Sequence, residues 1–526
     1  MLPNIRFARR ASQPCGPGYS TGSFGKLMSR ASAAAAHRLA RHAERHHVIV
    51  LEGASPGHIY PTLPLVAAMR AGGSTVTYFI ATTADESVAN AVKSAGASLR
   101  FYREGPDHLL DNVTFRQRVV STELRWLPPL IEDLRTLSPP ATLLIYDAFI
   151  TIGPATATLV HLPAVGIIPH CGPGWLAPIE TDAACAELES HRLWLKQRCG
   201  LDLLTYGHPP CSWYCNSCRL NIVLTIDALF SPPSEAQQQR HCGDVTFKCV
   251  GSLLAGASAP RPSLSLGKGA MEHQSRQPFP IGQIRAAREA GQRIVLLALG
   301  TLVTTSFWQA LPSDSTAAVT GGAEVTAASG GVVSIGIIGE NPEDSAPRSG
   351  RGFAHLVWTA AMEALGGLAG RVLVLLVVGP RTDALDRLPP LPRHFLAFPW
   401  VPQLELLPLC SAFITHGGMG SVMEAVLSRC PMVVVPVFAD QLHTAEAVGR
   451  SGLGVGFKEP WRSLTAEALR GALEPMLEGA AEPAKCRFRQ ALQRASAPLE
   501  AEGQGAKAAV ELIWSAASRF REHFCF

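Results

Sequence analysis

Apolar residues fall in short runs along this chain, and most runs lead into a longer stretch with helical spacing. HVIVLEG (47–53), STVTYFIA (74–81), ASLRFY (97–102), ATLLIYDAF (141–149) and LPAVGII (162–168) are such runs, separated by a helical pattern through Met69, by ADESVANAVKSAG and by residues 113–137. Gly96 closes the second helical pattern as a C-terminal glycine stop. The third is expected to be interrupted at Pro128-Pro129. Runs that are apolar at nearly every position suit strands covered on both faces. Their alternation with helices predicts a doubly wound parallel sheet.

The rhythm blurs between Cys171 and Arg219, where LESHRLWLKQRCG reads as helix and GHPPCSWYCNSC as loop. NIVLTIDALF and TFKCVGSLL then read as the last strands of a first domain, residues 47–252. Residues 253–292 are rich in Ala, Ser, Gly, Pro and charge, the composition of a linker. RIVLLALGT (293–301) restarts the pattern and opens a second domain, 293–526. Residues 303–350, low in complexity, are too long for an ordinary loop and read as an insertion. A helix over 352–369 follows, then strands RVLVLLVVG and HFLAFPW, and finally helices EALRGALEPML, CRFRQALQRAS and the C-terminal segment.

The densest chemistry lies between Trp400 and Gln441. SAFITH is a buried-strand run ending at His416; the glycine turn GGMGS and the helical VMEAVLS come next; PMVVVPV ends near Asp440-Gln441. The N–H groups of Gly420 and Ser421 would open a helix, and such an end attracts phosphate. His416, the glycine turn and the Asp-Gln pair should share the carboxyl edge of one parallel sheet, where open α/β sheets bind ligands.

Trp400, Gln403, His416, Gly420-Ser421, Glu424 and Asp440-Gln441, in this order and spacing, resemble the nucleotide-sugar signature of the UDP-glycosyltransferase family. The wording HGGMGSVMEA is most similar to the macrolide-glycosyltransferase branch; plant members usually carry Trp-Asn-Ser in place of Met419-Gly420-Ser421. The resemblance implies a GT-B fold, two facing Rossmann-like domains with a cleft between them, and an inverting transfer from a UDP-sugar to a small lipophilic acceptor. It further implies that Trp400 stacks on the uracil, with Val401 beside it and Gln403 near base or ribose. His416, Gly418, Gly420 and Ser421 would hold the diphosphate, Glu424 the ribose hydroxyls, and Asp440 and Gln441 the sugar. Gly300-Thr301 resembles the family's first glycine loop at the donor phosphate. Gln441 points to glucose; Thr444 stands where members often have Asn.

Glycosyl transfer needs a base for the acceptor hydroxyl, and a histidine oriented by a carboxylate can be one. His58, in GHIYP and expected in the loop after the first strand, and Asp147, at the end of the fourth, match the family's dyad. Both strand ends lie on one sheet edge, so contact between them is expected. Ile59, His170 and Trp175 are candidate acceptor-pocket residues. The last helix is expected to cross back onto the first domain, as in the family.

Composition narrows the alternatives. Hydrophobic residues make up 47% and charged residues 17% of the 526, ordinary for an α/β enzyme. The net charge of +4 is uneven: residues 1–46 carry +7 and the remainder −3. The folded part therefore offers no basic face for nucleic acid. The basic N-terminal extension has the composition of a transit peptide or of a disordered leader. The protein is thus expected in the cytoplasm or in an organelle. No stretch reads as a membrane span: FITIGPATATLVHLPAVGII is broken by Gly153, Pro154 and Pro163. Cys211, Cys215 and Cys218 with His208 have only part of a zinc pattern. No metal and no cofactor are expected, the UDP-sugar being a co-substrate, and a monomer is expected. Two alternatives to a small-acceptor transferase are a non-catalytic nucleotide-sugar-binding protein and a sterol or lipid glucosyltransferase acting at a membrane surface.

Overall fold

In the computed structural model, residues 46–105, 115–176, 186, 188–202, 220–235, 245–253, 279–309, 349–482, 484–501 and 505–523 are described. The basic N-terminal segment, the cysteines of the partial zinc pattern, most of the linker and residues 310–348 of the insertion lie outside them.

Among the described residues, thirteen strands form two all-parallel sheets. The first contains β1 (His47–Leu51), β2 (Thr75–Ile80), β3 (Ser98–Phe101), β4 (Leu143–Asp147), β5 (Ala164–Ile168), β6 (Leu220–Val223) and β7 (Thr246–Cys249), in the order β3-β2-β1-β4-β5-β6-β7. The second contains β8 (Arg293–Ala298), β9 (Val372–Val377), β10 (Phe395–Phe398), β11 (Ala412–Thr415), β12 (Met432–Val434) and β13 (Gly454–Gly456), in the order β10-β9-β8-β11-β12-β13. The central strands are buried on both faces, as their unbroken apolar runs require. In each sheet the order reverses once, between β1 and β4 and between β8 and β11. Connections leave in opposite directions there and open a crevice at the carboxyl edge.

Three local expectations are corrected. The helix after β1 runs Pro56–Ala71, so it begins earlier than expected and His58 stands in its first turn, not in a loop. Pro56 heads the helix, where its missing N–H costs nothing. The helix Phe115–Arg135 passes through Pro128 and Pro129 without a break. Pro129 leaves the Arg125 carbonyl without its helical donor, and the Gly105 N–H supplies one at 2.8 Å. The end of the expected linker is helical, Ile281–Glu289, with Ile284 fully buried. The short strand β13 went unrecognised in the sequence because Gly454-Val455-Gly456 carries almost no apolar signal.

The C-terminal helix, Gly505–His523, returns to the first domain and packs on Pro56–Ala71. Ala509, Val510, Ile513, Trp514 and Ala517 join the core on that face of the first sheet, and Trp514 stacks on His46 with ring centroids 4.3 Å apart. No helix among the described residues is long and apolar enough to cross a membrane. Truncating a buried tryptophan typically costs about 3–5 kcal/mol. Trp514→Ala should therefore lower the free energy of unfolding of the first domain by an amount in that range, read from urea denaturation, and an unchanged value would show that the Trp514 contact contributes no stability.

Candidate functional site

The crevice of the first sheet holds the expected dyad. β1 pairs with β4 in register, Leu51 beside Tyr146. The chain leaving β1 turns into the helix that carries His58, and β4 ends on Asp147. His58 Nδ1 lies 2.8 Å from Asp147 Oδ2. Because a carboxylate only accepts, Nδ1 carries the hydrogen and Nε2 keeps its lone pair. Asp147 is 2% exposed, and its Oδ1 accepts the Phe149 N–H at 2.7 Å, which fixes the carboxylate plane. Burial pushes the His58 pKa down, but the charge and hydrogen bond of Asp147, helped by Asp440, outweigh it and hold the value above 6.5.

Phe149 went unremarked in the sequence. Its ring lies 5.2 Å from His58, 5.1 Å from His170 and 6.3 Å from Trp175, making an aromatic wall beside the imidazole. The signal lay in the Asp-x-Phe wording after the strand, where an aspartate binds the N–H two residues on. His170 Nδ1 accepts from the Trp175 indole at 3.0 Å and from the Gly172 N–H at 3.2 Å. Burial pushes its pKa down to about 3, so the ring is neutral. His170 and Trp175 are both buried. Ile59 is a correction: it is fully buried among Val48, Val50, Leu65 and Tyr78, because helical geometry turns it away from its neighbour His58 into the core.

Two further carboxyl groups were not foreseen. Glu52, directly after β1, is 1% exposed, and burial followed by the charge of Asp147 drives its pKa well above the usual range. Glu123, on Phe115–Arg135, accepts the Thr151 N–H and hydroxyl at 2.6 and 2.5 Å, and burial raises it to about 7. Polarity alone cannot reveal such residues, since a Glu beside a strand end reads as solvated.

The second crevice carries the Trp400–Gln441 residues. His416 follows β11 and lies against the turn after β8. Gly300 has φ 81°, and a Cβ there would sit 2.6 Å from His416 Nε2. Only glycine lets the imidazole lie on this backbone. Burial lowers the His416 pKa to about 4, so at neutral pH it offers a ring N–H and no charge. The nine-residue helix Met419–Leu427 starts beside it, with Gly418 as N-cap and Gly420 and Ser421 among its first residues. Gln403 donates to Glu424 Oε2 at 2.7 Å and to the Ser421 hydroxyl at 3.2 Å, which ties three of the expected donor residues together. Trp400 is half-buried, Val401 buried and Thr301 exposed.

Asp440 precedes the helix Gln441–Arg450 after Ala439, whose φ of 60° is unusual for a residue with a side chain. The Gln441 side-chain carbonyl accepts the N–H groups of Val437 and Phe438 at 2.9 and 3.2 Å, which fixes the orientation of its amide. Thr444 is fully buried, and its hydroxyl donates to the Asp440 carbonyl at 3.0 Å. The Asp440 carboxylate accepts the Cys171 N–H of the first domain at 3.3 Å, so the two crevices face each other.

Among the described residues, two groups of side chains bring potential metal-ligand atoms within 4.8 Å of one another: Glu52, His58 and Asp147, and His170, Cys171 and Asp440. In each, one imidazole nitrogen is already engaged, His58 Nδ1 by Asp147 and His170 Nδ1 by two N–H donors.

Burial pushes the Asp440 pKa up to about 6, against the pull of the Cys171 N–H and His58. A carboxyl raised on folding binds its proton more tightly in the native state, so stability is lost as pH rises from about 4 to about 6. The full penalty is on the order of 3 kcal/mol at one pKa unit per 1.4 kcal/mol. Asp440→Asn should therefore raise the thermal midpoint at pH 8 and leave it nearly unchanged at pH 4; an equal effect at both would contradict this origin.

Residues 378–483 match the family model described as UDP-glucoronosyl and UDP-glucosyl transferase. The uncharacterized UDP-glucosyltransferase YdhE of Bacillus subtilis is 25% identical over 457 residues, 82% of this chain and 90% of that protein. The oleandomycin glycosyltransferase of Streptomyces antibioticus is 35% identical over 152 residues, 29% of this chain and 33% of that enzyme. Among solved structures, the kitacinnamycin glycotransferase superposes with a TM-score of 0.58 at 21% identity, covering 90% of this chain and 98% of that one. The double sheet with facing crevices is the GT-B fold of these solved structures, and a segment of the second domain, residues 378–483, is similar to the UDP-glucosyltransferase family.

Proposed function

We propose that this enzyme transfers glucose from UDP-glucose to a hydroxyl of a small, mostly apolar acceptor by direct inverting displacement, with His58 as general base and Asp147 as its partner. The observation that carries this reading is the 2.8 Å contact between His58 and Asp147, set in one crevice opposite the Asp440 loop of the other. His58 Nε2 takes the acceptor proton as the hydroxyl oxygen bonds to the anomeric carbon. The bond from that carbon to the β-phosphate oxygen breaks, and UDP leaves with the electron pair. Asp147 stabilises the imidazolium formed in this step. Phe149 supplies apolar surface for the acceptor beside the base.

On the donor side, Trp400 stacks on the uracil beside Val401, and Gln403 and Glu424 meet base and ribose. Gly300-Thr301, the His416 ring N–H, Gly418 and the helix start at Gly420-Ser421 receive the diphosphate. Asp440 and the amide nitrogen of Gln441 hold the sugar. Oriented N–H groups of this kind can stabilise leaving-group charge, so the reading requires no metal.

A thermal-shift series with UDP, UDP-glucose, UDP-glucuronic acid, UDP-N-acetylglucosamine and dTDP-glucose tests the donor assignment. Specific binding raises the midpoint by mass action, and UDP-glucose should give the largest shift; no shift with any of them would refute the donor site. Removing a general base typically costs about 10²–10⁴-fold in rate. His58→Ala should lose transfer by that factor and keep the UDP-induced shift, whereas wild-type turnover in this variant would remove His58 from the mechanism. Since only neutral His58 accepts a proton and its pKa lies above 6.5, kcat/KM should climb with pH through that value and then level off. A flat profile between pH 5.5 and 8 would contradict the base assignment.

A further inference from the structure

Behind the dyad lies the buried carboxyl group of Glu52. The β1–β4 register ends at Leu51 beside Tyr146, and Glu52 and Asp147 are the residues that follow these two. Ligand atoms of Glu52, Asp147 and His58 lie within 4.8 Å of one another. Glu52 is 1% and Asp147 2% exposed. Asp147 has two donors, His58 and the Phe149 N–H, which suit an ionised carboxylate. Neither Glu52 side-chain oxygen has a well-aligned hydrogen bond among the described residues. The Gly53 N–H favours its charged form, but less than burial and Asp147 oppose it.

Among the described residues, no cation is among the groups that act on Glu52 or Glu123. Tyr78 on β2 and Tyr102 after β3 face Glu52, and both phenols are held well above their usual range, by burial first, so they stay neutral. Glu123 adds a further acid, against Tyr102 and Asp147. On the other side, His58 is faced by Asp147, by Asp440 and by the neutral ring of His170. Two buried carboxyl groups one strand spacing apart cannot both ionise cheaply; one keeps its proton.

We propose that Glu52 and Asp147 form a carboxyl pair sharing one proton and one negative charge behind His58, which makes Glu52 a positioning residue for the base. With Asp147 present, Glu52 keeps the proton and Asp147 carries the charge. If Asp147 is neutralised, Glu52 gives up its proton to solvent and becomes the anion that faces the imidazole. The pair thus keeps a single charge beside His58. The word "base" rests on the transfer reading above; the charge sharing does not.

The test follows His58 by NMR in protein labelled with 13C at histidine Cε1, with the line assigned by its loss in His58→Ala. Glu52→Gln alone should move the His58 midpoint by less than half a pH unit, because a neutral amide replaces a neutral acid. Asp147→Asn should keep much of the elevation through Glu52. Adding Glu52→Gln to Asp147→Asn should then lower the midpoint by about one unit more, a tenfold change in the protonation ratio. A drop of a unit in Glu52→Gln alone would show Glu52 already ionised and overturn the proposal. So would a double variant that titrates like Asp147→Asn. Should a variant fail to fold, the infrared carbonyl band of a protonated carboxyl, retained in the unmutated protein at pH 8.5, reads the same proton; its absence there refutes the pair. These measurements need no turnover, so a chain inactive towards sugars would refute the transfer reading and leave this one standing or falling by itself.

Discussion

The reversal of strand order at the middle of each sheet is the constraint on which the rest of this molecule depends. Between β1 and β4, and again between β8 and β11, the connecting chains depart to opposite faces and leave the strand ends uncovered. Each crevice has one histidine held against a neighbouring strand end. In the first, His58 is gripped by the Asp147 carboxylate; in the second, His416 rests on the bare backbone of Gly300. A carboxylate partner raises the first imidazole above its ordinary pKa, while burial without one leaves the second near 4. One residue type thus has its pKa raised in one crevice and lowered in the other, and the difference lies in the neighbours.

The first crevice is acid-rich. Glu52, Glu123 and Asp147 are all at most 2% exposed, and His58 is the cation-forming group beside them. Burying several carboxylates without compensation is too unfavourable to persist, so protonation takes the place of counter-ions. The second crevice adds Asp440, itself raised to about 6 and reaching across to the Cys171 N–H. These groups lower stability where a neutral residue would not, an arrangement common at functional sites.

Facing crevices require the two domains to be held in register. Asp440 meets Cys171, the Ser451 hydroxyl donates to the Ala228 carbonyl at 2.9 Å, and the Thr225 hydroxyl meets the sulfur of Met419 at 3.2 Å. The C-terminal helix adds a longer-range tie, since its apolar face completes the core around the very helix that carries His58. The C-terminal helix is therefore part of what positions the helix of His58, although more than 450 residues separate Trp514 from His58 in sequence.

Much of this was legible in the sequence. Strands such as His47–Leu51 and Met432–Val434 announce themselves because burial on both faces demands apolar residues at nearly every position. The glycine turn after His416 and the Asp147 strand end were readable because their spacing is local. What tertiary structure decided was everything that depends on neighbours far along the chain. Pro128 and Pro129 could stay helical because Gly105 offers an N–H to the Arg125 carbonyl. Ile59 went to the core while His58 went to the cleft, because the helix already begins at Pro56 and His58 stands in its first turn and not in a loop. Glu52 and Phe149 acquired their surroundings only when β1 and β4 paired. Hydrophobic period and turn chemistry are properties of adjacent residues and can be read along the sequence, whereas the protonation of a carboxyl group depends on which charges and how much water surround it, and that is set only when the strands come together.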